Sequence, residues 1–576
     1  IVQIESRASN TASKADQWVA VRPGTEPAFA LGLAHVIIKE VLYNKEFVEN
    51  HTFGFNDWTS SNGRQHMGFK TLVMQKYSPS KVASLTGIDP GLIEKLARQF
   101  ARARSPIAIF GRGKGLLNGS IYEFMAVHSL NALVGNINMP GGVLVYDPLP
   151  LNKLPDFEAD PIAESGLGNP RLDQADTKQY PFAASLVSNL AHAILEATNS
   201  PIDTLLVFGA NPVFTEPDGG LFYRAIKKIP FVVSFSPFRD ETAQMADLIL
   251  PDHTYLEKTD EIIWPLTLQY PFYGLSRPAV EPIYQTKNVG DSVLELAKAL
   301  EEPVASAFPW NSYEEVLKER ARGLFESGGG LVSYDPKTPA WELLKRGTLP
   351  EPEYNSFDEM WEAIRSSGMW YRPSHRFKSW AKLFKTPTGK FEFFSTQIQL
   401  AIEEYAQGSD NPLTTLKKMG IKVKGDEAFL PHQEEPLLPG QFSKFPLVLV
   451  PYEMINLSDS WVPSPPFLSK TWLDNQLLKK DSFVEIHPQT ARKYGLKGGD
   501  SVIIETPSAK ARVRVTLFEG AMPGCIFVPR GFGHFAYDEF LRGKGINVNH
   551  LVTPQKDALS GLAAWWATPA RIRKSV

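Results

Sequence analysis

A single cysteine, Cys525, stands in 576 residues, so the chain can form no internal disulfide and cannot alone supply the four thiolates of an iron–sulfur cluster. Charge of one sign is also missing: 60 Lys and Arg face 63 Asp and Glu, a formal charge of −3. That balance builds no broad positive field, which excludes nonspecific nucleic-acid binding. The longest apolar runs, Phe29 to Ile38 and Phe445 to Val450, fall well short of the roughly 20 residues a membrane helix needs. Membrane attachment is therefore expected only through another subunit. No repeat of fixed period, no low-complexity tract, no P-loop and no nucleophile triad is found. The chain begins at Ile1 rather than Met, and Ile1 to Ile4 already reads as a strand. The start is expected to be processed or truncated, with any targeting signal upstream.

What is present is ordinary globular material, 43% hydrophobic and 21% charged. A chain of 576 residues exceeds what one core serves, so several modules are expected. Residues 1–150 alternate strand-like and helical stretches, including a helix at Glu26 to Leu42 and a strand at Pro106 to Phe110, and read as an α/β domain. Tyr146 to Tyr180, rich in Pro, Asp and Gly, reads as a long connection. A second α/β domain, 151–300, has a helix Ala183 to Thr198, strands at Thr204 to Phe208, Phe231 to Phe235 and Leu248 to Leu250, and a helix Gly220 to Lys228. Short apolar strands separated by helices predict a parallel sheet with its ligand crevice at the strand carboxyl ends. Residues 301–440 show weak periodicity and are expected as irregular covering structure. In 441–576, short β-rich runs (Leu447 to Val450, Phe483 to Ile486, Ser501 to Glu505, Ala511 to Leu517, Cys525 to Val528) predict a closing β-barrel.

The motifs read singly admit two explanations each. Gly111-Arg112-Gly113-Lys114-Gly115 follows a predicted strand and serves either as a plain turn or as a backbone approach to a phosphate; Leu116 breaks the dinucleotide fingerprint. Gly209 to Pro212 is a similar strand-ending turn. Thr25 and Glu26 can open a helix as cap and dipole-matched acid, or Glu26 can accept from a purine edge. The polar cluster Arg239, Asp240, Glu241, Thr242, Asp247, Asp252, His253, Glu257 and Asp260 is either a solvated loop or the wall of a polar site. No second histidine stands at helical spacing from His253, which argues against zinc or iron. Gly531-Phe532-Gly533-His534, with Asn547 and Asn549, offers close backbone approach and donors and acceptors suited to a flat heterocycle such as a pterin. Cys525 reads as a small buried hydrophobe.

Taken in order, Arg7 with Ala15-Asp16-Gln17-Trp18, Arg22-Pro23-Gly24-Thr25-Glu26, Leu130 to Ile137 with Pro140-Gly141-Gly142, Gly209 to Pro212, Glu241-Thr242-Ala243 with Ala246 to Pro251, Thr386 to Glu392, His487-Pro488 with Gly499-Asp500, and Gly531 to His534 with Asn549 resemble the molybdopterin oxidoreductase superfamily typified by dimethyl sulfoxide reductase. The resemblance implies two parallel-sheet α/β domains and a double-psi-like barrel around a bis-molybdopterin guanine dinucleotide. It assigns Arg22, Gly24, Thr25, Glu26, Gly111, Asn211, Glu241, Thr242, Asp252, Phe532, His534 and Asn549 to the cofactor, with Glu26 where the family often has Asp. The family's cysteine-bound cluster and its metal-ligating Ser, Cys, selenocysteine or Asp precede the block that begins here, so no metal ligand and no catalytic residue is named. Tyr452 to Leu457, Pro463 to Lys470 and Asp557 to Thr568 resemble large subunits of quinone-linked respiratory complexes, above all the quinone reductase complex of sulfate reducers, thought to work without molybdenum; a polysulfide or thiosulfate reductase is the alternative. The partners implied are an iron–sulfur subunit, an integral-membrane quinone-binding subunit and a multihaem cytochrome c, on the periplasmic side of the cytoplasmic membrane.

Overall fold

The computed structural model describes the chain except residues 112–119, 157–158, 178, 218, 264–270, 329, 333–353, 368, 373–374, 407–411, 436–442, 456, 458–480, 554, 558, 562–563, 565 and 576. Arg112, Lys114 and Pro463 to Lys470 therefore lie outside the described residues.

The first large core is organised by the helix Glu26–Lys39, in which every residue from Glu26 to Ile38 is buried. Its sequence is apolar all round rather than amphipathic, and such a helix belongs in an interior. It is ringed by the helices Phe69–Lys76, Pro79–Thr86, Pro90–Arg102 and Ser120–Leu133. Gly32 permits a close approach of the helix Pro79–Thr86, since a Cβ there would lie 3.0 Å from both Val82 γ-methyl groups. The sheet content is small: Val2–Ile4 pairs parallel with Gln17–Val19. Pro106 to Phe110, expected as a strand, is not one. Its backbone is instead satisfied by a side chain, Asn131, which accepts from Ala108 N and donates to Ala108 O, both at 2.8 Å. One amide thus replaces a ladder partner.

Residues 301–440 are more regular than their pattern implies. The helices Tyr313–Glu326 and Phe357–Ser367 back an antiparallel sheet of Leu331–Val332, Met369–Tyr371, Phe272–Ser276 and Asp260–Ile263. Further on, Phe391–Glu392 pairs parallel with Thr52–Phe53, and Phe393, Phe394, Ile398 and Leu430 enter the first core. Short elements with non-local partners carry little periodic signal, which is why they read as irregular.

The second α/β unit follows its prediction closely: Thr204–Phe208, Phe231–Phe235 and Leu248–Ile249 form a parallel sheet in sequence order, with the helices Val187–Glu196 and Gly219–Ile226 against one face. The last region is a closed barrel of Leu447–Tyr452, Cys525–Pro529, Phe483–Ile486, Lys510–Leu517, Ser501–Glu505 and Thr568–Lys574. Two parallel pairs, Val448 with Cys525 and Phe483 with Arg514, are set among antiparallel ones. Alternate residues such as Val484 and Ile486, Val502 and Ile504, and Val513 and Val515 fill the interior. Thr568–Lys574 went unrecognised in the sequence because Pro569 and three basic residues break its apolar run; it is the strand that closes the barrel onto Leu447.

Candidate functional site

The carboxyl ends of the second sheet meet the barrel at a buried knot of polar side chains. Asn211, in the turn after Thr204–Phe208, donates from Nδ2 to Glu241 Oε2 at 2.7 Å. Its Oδ1 accepts from the Thr242 N–H at 3.1 Å and the Thr242 hydroxyl at 2.8 Å. Glu241, in the loop after Phe231–Phe235, reaches across to the barrel: Oε1 accepts from His534 Nδ1 at 3.0 Å, Phe535 N at 3.0 Å and Ala536 N at 3.2 Å. The His534 ring stacks on Phe214 with centroids 3.8 Å apart and planes 16° off parallel. The Phe214 carbonyl in turn accepts from Asn547 Nδ2 at 2.9 Å and Asn549 Nδ2 at 3.0 Å. Asn211, Glu241, Thr242, His534 and Asn549 are all nearly or fully buried. The solvated-loop explanation of Asp240 to Thr242 is therefore overturned.

The electrostatics follow from that burial. Loss of water would raise Glu241, but the hydrogen bond from His534, with donors from Asn211 and Ala536, outweighs it and holds the carboxyl below the ordinary glutamate range. Asp240 next door lacks such a partner. Burial pushes it up to about 6, against hydrogen bonds from Ala243 N at 2.8 Å and the Ser236 hydroxyl at 3.1 Å.

Glycines shape the barrel side. Gly533 has φ of +83°, and a Cβ there would lie 2.0 Å from Asn547 N. Gly533 N donates to Lys544 O, and Gly543 N to His534 O, each at 2.8 Å, so the loop folds back on itself. Phe532 anchors the loop by packing with Met454 and Phe483.

The remaining predicted residues lie elsewhere. Arg22, Gly24, Thr25 and Glu26 form a second locus where the first core meets the barrel near Cys525, whose thiol burial pushes up to about 12. Arg22 donates to the Leu85 carbonyl at 2.6 Å. Thr25 does not cap the helix, because its hydroxyl turns back to the Arg22 carbonyl at 2.7 Å. Glu26 closes its own turn by accepting from Gly24 N at 2.8 Å. Gln433, which sequence reasoning passed over, bridges this locus by donating to Gly24 O at 2.7 Å. Beside it, His432 and Glu434 form a buried pair, with Nε2 to Oε1 at 2.8 Å, and the second Glu434 oxygen has no partner among the described residues. Asp252 is held locally by Lys258 Nζ at 2.8 Å and Val289 N at 2.9 Å. His253 bonds Thr286 at 2.6 Å. Gly111 has no neighbour among the described residues within 4 Å of a would-be Cβ. Phe214 was not singled out beforehand; no local pattern marks a phenylalanine whose role is its carbonyl and ring face.

The donor set fits a neutral, multiply hydrogen-bonding heterocycle better than a metal. Around the Glu241 carboxylate it consists of amides, hydroxyls and an imidazole, and the Ser234 hydroxyl is buried without a partner among the described residues near the same strand end.

Comparison with known proteins agrees with this architecture. The molybdopterin oxidoreductase family matches residues 1–298 and the molybdopterin dinucleotide binding domain matches residues 468–567, so the chain belongs to the molybdopterin oxidoreductase family. It is 29% identical over 567 residues to the menaquinone reductase molybdopterin-binding-like subunit of Nitratidesulfovibrio vulgaris, covering 98% of this chain and 64% of that one. It is 27% identical to the arsenate respiratory reductase molybdopterin-containing subunit of Chrysiogenes arsenatis, covering 98% and 70%. Against the thiosulfate reductase molybdopterin-containing subunit of Salmonella typhimurium the identity is 26%, covering 92% and 64%. The chain thus spans less than two thirds of the length of two of these relatives. Acetylene hydratase from Pelobacter acetylenicus shares the fold, with TM-score 0.70 and 21% identity over 100% of this chain and 74% of that one.

Proposed function

We propose that this chain is the greater part of a large subunit in a quinone-linked respiratory electron-transfer complex of the menaquinone reductase type. The observation that carries the reading is the match to a menaquinone reductase subunit along 98% of the chain, which runs through both halves of the polar knot. In this reading Asn211, Thr242, His534 and Asn549 hold the pterin and nucleotide of a molybdopterin guanine dinucleotide, and Arg22, Gly24, Thr25 and Glu26 hold its distal end. When bound with metal, such a group supplies the redox chemistry; the protein supplies orientation and electrostatics. The complex works without molybdenum, in keeping with the "binding-like" description of that relative.

A single cysteine and no helix among the described residues long and apolar enough to cross a membrane leave electron and quinone traffic to neighbours. Those neighbours are an iron–sulfur subunit, an integral-membrane quinone-binding subunit and a multihaem cytochrome c, with this chain docked peripherally on the periplasmic side. Similarity to a thiosulfate reductase subunit supports the second reading, an active molybdenum polysulfide or thiosulfate reductase.

Purification of the native complex from membranes, followed by metal analysis and acid extraction of pterin, tests the proposal. Co-purifying iron–sulfur and membrane subunits with molybdenum and tungsten far below one per chain are expected. Molybdenum near one per chain, with thiosulfate-dependent turnover, would establish the second reading instead.

A further inference from the structure

Glu241 is assigned to the cofactor by resemblance, yet its carboxylate is already used. Oε1 accepts from three donors of the barrel loop and Oε2 from Asn211. The Asn211 amide cannot be turned around, because its oxygen accepts from both donors of Thr242. His534 differs. Its Nδ1 is committed to Glu241, while Nε2 makes no hydrogen bond with any described residue, although His534 is only 4% exposed. The stack on Phe214 and the edge contact with Tyr537, at 5.0 Å, restrain the ring plane.

We propose that Glu241 is a positioning residue that touches no ligand and sets the tautomer of His534. A carboxylate oxygen surrounded by donors can only accept, so a ring that carries one proton holds it on Nδ1 and presents the Nε2 lone pair. The ligand group opposite Nε2 is therefore a hydrogen-bond donor, an N–H or amino group of a bicyclic heterocycle. This chemistry rests on the pterin reading of the site, but the tautomer is a property of the chain alone.

Nitrogen NMR of the full chain with isotope-labelled histidine tests it, His534 being identified among the 11 histidines by the signals lost in His534→Asn. The wild type is expected to show a protonated Nδ1 and an unprotonated Nε2 at neutral pH. Glu241→Leu removes the acceptor that faces Nδ1 altogether, so the Nδ1–H preference is expected to be lost. Asn211→Ala, which removes a bond only from Oε2, is expected to keep that preference even if it lowers the melting temperature. A wild-type ring protonated at Nε2 overturns the proposal without any variant, and an unchanged tautomer in Glu241→Leu overturns it as well. A purely structural role for Glu241 predicts that the two variants alter stability alike and the tautomer not at all. If acid extraction yields no pterin from the wild type while the tautomer stands, the cofactor reading fails and the positioning role survives.

Discussion

Arg7 and Glu485, 478 positions apart, form a two-pronged ion pair, Nε to Oε2 at 2.6 Å and Nη2 to Oε1 at 3.0 Å. The guanidinium also lies over the Tyr452 ring, 3.8 Å from its centroid. The segment that follows the first strand is thereby fastened to the barrel, with Ala8 N on Gly520 O and Met522 N on Ser6 O alongside. Both side chains are largely buried, at 22% and 11% exposure, so removing one strands the other. Arg7→Ala is expected to destabilise the barrel's junction by about 2–4 kcal/mol, and Arg7→Lys by nearly as much, because lysine has no fork to match the carboxylate. Thermal melting with limited proteolysis checks this; melting temperatures within 1–2 °C of wild type, roughly what 0.5 kcal/mol produces in a chain of several domains, would contradict it.

The two adjacent acids of the knot are expected to give opposite pH signatures. Asp240 has its folded value raised to about 6, so the folded state binds more protons than the unfolded one between the ordinary aspartate range and pH 6. Its contribution is full below that window and lost as pH rises through it. Glu241 has a lowered folded value, so its contribution is present at neutral pH and lost as pH falls below the ordinary glutamate range. Asp240→Asn is expected to stabilise the protein at pH 8 by about 1–2 kcal/mol and to flatten the slope near pH 6. Denaturant titrations at several pH values decide it, and a destabilised Asn variant at pH 8 would refute the assignment.

Gly533 admits no side chain. Its left-handed backbone and the 2.0 Å approach to Asn547 N mean that Gly533→Ala must displace the loop that presents His534 and Asn549. Strain of about 1–2 kcal/mol from the backbone conformation adds to the cost of that collision. The expected outcome is faster protease cleavage within 530–549 and several-fold less extractable pterin. Gly543→Ala has an open would-be Cβ, so it carries only the backbone strain and is expected to be milder.

Cys525 provides a reporter of barrel integrity. It is 3% exposed, and its thiol is pushed up to about 12 by burial, so almost no thiolate exists at neutral pH. Ellman's reagent is expected to find no reactive thiol in the native chain and one after denaturation. Rapid native labelling would show that the strand Cys525–Pro529 opens readily.

The amino-acid sequence by itself determined the parts written in local pattern. The strands Thr204–Phe208, Phe231–Phe235, Phe483–Ile486 and Ser501–Glu505 were legible to the residue, since apolar runs bounded by Gly, Pro and Asp leave the backbone little choice. The residues of the candidate site were also legible as types: Asn211, Glu241, Thr242, His534 and Asn549 stood out as polar groups in turns. Their partners were not. That Glu241 spends both oxygens on its neighbours, that Phe214 offers a carbonyl to two asparagines, and that Arg22 to Glu26 form a separate locus depend on contacts hundreds of positions apart. Asn131 standing in for a strand partner of Ala108, and a proline-bearing basic strand closing the barrel, are likewise tertiary decisions. In each case the free energy comes from burying and satisfying polar groups brought together only by the completed fold, and no local periodicity encodes that.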